Sequence, residues 1–78
     1  MSSAKQPTEA ALLRRIEGHR KRQERAETDE ADAIVAGYPE RTIAALRRVA
    51  AQQLWKRRKL TKQVDDMRAA ALLTGGAP

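Results

Sequence analysis

The chain has no cysteine and no phenylalanine, and only one histidine, one tryptophan and one tyrosine. Without cysteine there is no disulfide staple, no thiolate nucleophile and no thiolate metal site, and the redox compartment is unconstrained. His19 stands alone, and the first two serines, Ser2 and Ser3, sit in a polar N-terminal stretch. Asp65 and Asp66 are adjacent, so on a helix they point ~100° apart and form no carboxylate dyad. The acidic group Glu27, Asp29, Glu30 and Asp32 lacks the spacing and loop glycine of a calcium site. No glycine-rich phosphate loop is present. Catalysis needs convergent groups of matched pKa, so the expectation is a protein that is not an enzyme, with no cofactor, no metal and no small-molecule substrate. No apolar run approaches the ~18 residues of a membrane span, and residues 1–7 lack the apolar core of a secretory leader. A cytoplasmic protein without membrane contact is expected.

What the chain does have is charge. It carries 16 Lys and Arg against 10 Asp and Glu, for a net +6, and a third of its 78 residues are charged. Alanine supplies much of the apolar content and buries little surface. A core of this kind is marginal against chain entropy, and small chains of this type gain stability by self-association or by docking on something larger.

Two stretches of the chain mirror each other about Tyr38, apolar residues mostly facing apolar ones and polar facing polar. Leu12, Ile16, His19, Gln23, Ala26, Glu30 and Ala33 advance by alternating steps of three and four. So do their counterparts Val64, Leu60, Arg57, Gln53, Ala50, Leu46 and Ile43, each pair of numbers adding to 76. That spacing marks one face of a helix. Between the two sets stands Gly37-Tyr38-Pro39: a glycine suited to end a helix, then a proline suited to begin one. The pattern predicts an all-α fold, an antiparallel, coiled-coil-like two-helix hairpin, dimerising into a helical bundle. A loose tail is expected over 1–7, a hairpin over 8–73 with helices at about 9–36 and 39–73 joined at 37–39, and a flexible tail over 74–78. Thr8 is the expected cap of the first helix, with Glu9 favourable in its first turn. The Gly18-containing centre of that helix is weak, and a restart after a kink at Thr28-Asp29 is considered.

Folding back sets Arg20, Lys21, Arg22 and Arg25 at the level of Lys56, Arg57, Arg58 and Lys59. Like charges at one level call for an anion between them. The expected nucleic-acid contacts, to DNA or RNA phosphates and with little sequence specificity, are Arg20, Lys21, Arg22 and Arg25 on the first helix. On the second they are Lys56, Arg58, Lys59 and Lys62. Trp55 falls two residues from the seam position Gln53, or ~200° round the helix, and so points outward, suited to stacking on a base or packing on a neighbour. The alternative is a protein-interaction module: a small subunit, adaptor or inhibitor whose helical faces dock on a homodimeric copy or a larger assembly. Its anchors are the apolar residues left outside the seam, Leu13, Leu54, Trp55, Leu72 and Leu73.

Overall fold

The computed structural model describes residues 7–75, and within them the chain forms two α-helices packed against each other, α1 over Glu9–Ala36 and α2 over Glu40–Gly75. Of the tails expected over 1–7 and 74–78, residues 1–6 and 76–78 lie outside the described residues. Thr74 and Gly75, assigned from the sequence to the C-terminal tail, instead belong to the last turn of α2. α1 is continuous through Gly18 and Thr28, with no restart.

Each helix end has a local cause. The Thr8 hydroxyl accepts a hydrogen bond from the Ala11 N–H at 3.1 Å, satisfying one of the first-turn donors that have no intrahelical partner. At the other end Gly37 adopts φ 75°, ψ 31°, the left-handed region open to glycine. The Tyr38 N–H then donates to the Ala33 carbonyl at 2.9 Å and the Gly37 N–H to the Ile34 carbonyl at 3.1 Å, a Schellman closure. Pro39 contributes its carbonyl, which accepts from the Thr42 and Ile43 N–H groups and starts α2. Three residues thus reverse the chain.

The seam follows the mirror pattern. All seven α1 positions of the repeating set are buried or half-buried, as are Ile43, Leu46, Ala50, Gln53, Arg57, Leu60, Val64 and Met67 on α2. Ala71, the next step of the pattern, is exposed. The reason is length: α2 has 36 residues and α1 has 28, a difference of about 12 Å at 1.5 Å per residue. The register places Glu9 beside Arg68, joined by a 2.9 Å ion pair, so the last two turns of α2 project past the start of α1.

The larger apolar side chains gather at the end away from the turn. Leu12, Leu60 and Val64 form the buried cluster, with Ile16 and Met67 against it. Toward the turn the buried residues are Ile43 and the alanines Ala26 and Ala33, whose small side chains let the helices approach. Leu12 is fully enclosed. Leu12→Ala is expected to remove ~2–4 kcal/mol, the usual cost of emptying a leucine site, and to abolish a cooperative thermal transition followed by circular dichroism. Val35→Ala, at a position 89% exposed, is expected to leave that transition in place.

Candidate nucleic-acid interface

Between its two apolar ends the seam is polar, and its hydrogen bonds define how the flanking cations are held. The His19 Nδ1 lies 2.6 Å from the Gln53 Oε1, and the Arg57 guanidinium donates to the Gln23 Oε1 at 2.6 Å. The mirror register sets His19 level with Arg57 and Gln23 level with Gln53. The bonds run diagonally instead, each reaching one turn along the partner helix, so the two rungs cross. Gln23 passes the interaction on, its amide nitrogen donating to the Glu27 carboxylate at 3.1 Å. No described buried side-chain nitrogen or oxygen lacks a partner.

The same His19 Nδ1 lies 3.2 Å from an Arg22 guanidinium nitrogen. Arg22 therefore borders the polar rung.

The seam also sorts the cations into two flanks. On a helix Arg22 lies ~60° to one side of His19 and Arg20 ~100° to the other. On Arg22's side a shallow depression is lined by Arg14, Arg15, Gly18, His19 and Arg22 of α1. It continues into a second, lined by Arg15 and His19 together with Trp55, Lys56, Lys59, Leu60 and Gln63 of α2. Arg15 and His19 belong to both, so one groove crosses the seam, and no carboxylate lines it. Lys59 holds its ammonium 4.5 Å from the centroid of the Trp55 ring, a cation–π contact.

The opposite flank is neutralised. Arg20 is bonded to both Glu17 and Glu24. Its hydrogen bond holds the Glu17 carboxyl below its ordinary 4.5. A carboxyl lowered in the folded state contributes stability above its unfolded pKa and loses it as the pH falls through the folded value, so at neutral pH this cluster is intact and Arg20 stays engaged. The hydrogen bond to Glu17 likewise raises the Arg20 pKa. Arg58 and Lys62 line a separate depression on α2 with Leu54, Arg57, Thr61 and Asp65, and Lys62 reaches Asp66 at 3.4 Å. Nearer the turn Arg47 bridges to Glu30 at 2.6 Å across the seam, and that bond raises its pKa.

Of the eight cations singled out from the sequence, Arg22 lines the α1 part of the groove and Lys56 and Lys59 the part that crosses to α2, while Arg20, Arg58 and Lys62 line neither. Lys21 and Arg25 are exposed outside it. Arg14 and Arg15 were not singled out, because Glu17 and Gly18 separate them from the basic run in sequence. Their signal was the helical step: Arg15, Gly18 and Arg22 advance by three and four. Among the apolar anchors, Leu13, Trp55, Leu72 and Leu73 are exposed and Leu54 is half-buried.

Among the described residues no helix is long and apolar enough to cross a membrane, and no group of three His, Cys, Asp or Glu side chains is placed to hold a metal ion. Comparison with protein families, curated proteins and solved structures returns no match.

The crossed rungs make a stability prediction. Gln53→Leu leaves half-buried His19 without its partner across the seam and is expected to lower stability by ~1–3 kcal/mol in urea denaturation. Adding His19→Leu, which removes the other partner, is expected to recover most of that loss.

Proposed function

We propose that this protein binds nucleic acid through phosphate contacts on the groove-bearing face of the hairpin, with little sequence specificity. The observation that supports this reading most directly is the groove's composition: Arg14, Arg15 and Arg22 from one helix and Lys56 and Lys59 from the other, with no lining carboxylate. Ten acidic residues are available in the chain. On the other flank Glu24, Glu30, Asp66 and Glu9 form ion pairs with Arg20, Arg47, Lys62 and Arg68. A sequence selected for folding alone would gain by moving one of them into the groove, since like charges at one level repel. Phosphates arriving there replace that repulsion with charge-assisted hydrogen bonds and release counterions.

Sequence reading by base edges is not part of the proposal. The major groove of B-form DNA is ~12 Å wide and admits one helix. The cationic surface here spans two helices side by side, whose axes alone stand ~8–10 Å apart. Contacts of this kind fix position and supply affinity without a base code.

A second reading has its own observation. The overhanging end of α2 exposes Leu72 by 76% and Leu73 by 83%, and the turn exposes Val35 and Tyr38. Apolar groups at both ends of a rod suit a protein partner, or a second copy forming a helical bundle. On this reading Leu72→Ala combined with Leu73→Ala is expected to shift the sedimentation coefficient toward that of the monomer while nucleic-acid affinity stays unchanged.

The main reading is tested by titration at two salt concentrations. With about five phosphate contacts, affinity for an oligonucleotide is expected to fall roughly 100-fold between about 50 and about 200 mM salt. Arg15→Glu and Lys56→Glu are each expected to weaken binding about tenfold or more, with Arg20→Gln near neutral. Absence of binding at the lower salt, or equal effects from the two flanks, refutes the assignment.

A further inference from the structure

We infer that the groove takes a single strand of nucleic acid, with one unpaired base stacked on the Trp55 indole and the flanking phosphates held by Arg15, Arg22, Lys56 and Lys59. This rests on the phosphate-binding reading above and adds the form of the ligand to it.

Trp55 is the only tryptophan in the chain. It is 60% exposed, and its one ring contact among the described residues is the Lys59 ammonium at 4.5 Å. A large aromatic left this open on a charged surface is the unusual kind of exposure, the kind that marks a binding site. Its neighbours say what it binds. Arg15, Lys56 and Lys59 line the same depression, with Leu60 at its base and Gln63 at its edge. Aromatic faces beside cations that track a backbone are the two components of single-strand recognition.

A duplex satisfies only half of this site. Its phosphates can meet the cations, but its bases are stacked on one another, and a surface two helices wide cannot enter the major groove to reach them. A single strand presents a phosphate and a free base face at every nucleotide. The cations are spread along the groove: Arg15 and Arg22 are seven residues apart on α1, or ~10.5 Å along the helix, while on α2 Lys56 lines the same depression as the indole and Lys59 lies over its ring.

A second copy of this chain fits the face less well. A two-fold contact places the same surface against itself, and here that would bring two sets of cations together with no acidic partner in the groove. Besides the Trp55 indole N–H, Gln63 is an uncharged hydrogen-bonding side chain of the groove on α2, suited to a base edge or a sugar hydroxyl.

Because Trp55 is unique, its fluorescence reports on this site alone. The intact protein is titrated with an oligothymidylate and an oligouridylate of about twelve nucleotides, and with a duplex of the same length, with sedimentation of the free protein run alongside. Quenching by either single strand, weaker binding of the duplex, and an approximately tenfold loss of single-strand affinity in Trp55→Ala with an unchanged salt slope are expected, and Trp55→Phe should restore part of the loss. The thymidylate and uridylate arms separate DNA from RNA, and preference for either supports the inference. Equal affinity for duplex and single strand, or a Trp55→Ala variant that keeps full single-strand affinity, overturns the inference and leaves the phosphate-binding reading standing. Loss of self-association in Trp55→Ala without loss of affinity likewise overturns it, by assigning the ring to a protein contact. Failure of every oligonucleotide to bind at about 50 mM salt removes both readings.

Discussion

A two-helix hairpin has one seam, and every other feature of this molecule depends on how that seam is filled. The three-residue turn sets the register at one end, and the Glu9–Arg68 ion pair marks it at the other. Between them the apolar contacts are few, with one cluster of leucine, valine, isoleucine and methionine far from the turn and alanine packing near it. The polar middle contributes little net energy, since a hydrogen bond made on folding replaces one to water. What it contributes is alignment. A slide of one helix by a turn would bring one of the pairs His19–Gln53 and Gln23–Arg57 level but pull the other two turns apart, leaving half-buried polar groups without partners. Leucine in those places would pack in several registers. The crossed pair accepts one.

Fixing the register also fixes which charges share a flank. Side chains separate by ~100° per residue around a helix, so the consecutive Arg20, Lys21 and Arg22 cannot act as one cluster. The seam divides them. Arg20 falls among Glu17 and Glu24 and is consumed by them. Arg22 falls beside Arg15 and across from Lys56 and Lys59, where no acid is present. Charge that looks uniform in composition is therefore segregated in space over the polar middle of the rod, and there the segregation rather than the net +6 distinguishes one flank from the other, while nearer the turn Asp29 and Asp32 line the groove-bearing face.

The seam was legible because it is periodic: alternating steps of three and four identify inward positions in any long helix, and the central Gly-Tyr-Pro shows where the order reverses. Ala71 departs only because α1 begins at Glu9 and offers nothing for it to meet. The flanks were harder to read. A basic run is a one-dimensional object, whereas the groove assembles residues three, four and seven apart on α1 with others from α2. Arg14 and Arg15 were hidden by the intervening Glu17, whose charge is directed to Arg20 on the other side. The diagonal bonding of the rungs also escaped, since it depends on side-chain length: a half-buried arginine reaches a full turn along its partner helix. The pairing of Trp55 with Lys59 needed only the four-residue spacing on one helix.

The cations that form the groove come from both helices, and this ties binding to folding on the reading proposed above. In the free protein, Arg15 and Arg22 face Lys56 and Lys59 across the seam and oppose the contact that the apolar cluster makes. A polyanion laid over the groove removes that opposition and bridges α1 to α2, an arrangement available only to the folded hairpin. A ligand at about a hundred times its Kd stabilises the state it binds by ~2.7 kcal/mol, close to the ~1.5–3 kcal/mol of burying one leucine. For a core built on Leu12, Leu60 and Val64, that increment is comparable to adding another member to the cluster. On that reading the electrostatic strain in the groove and the small size of the core are complementary: the seam supplies few apolar contacts of its own, and an anion shared by the cations of both helices adds to them.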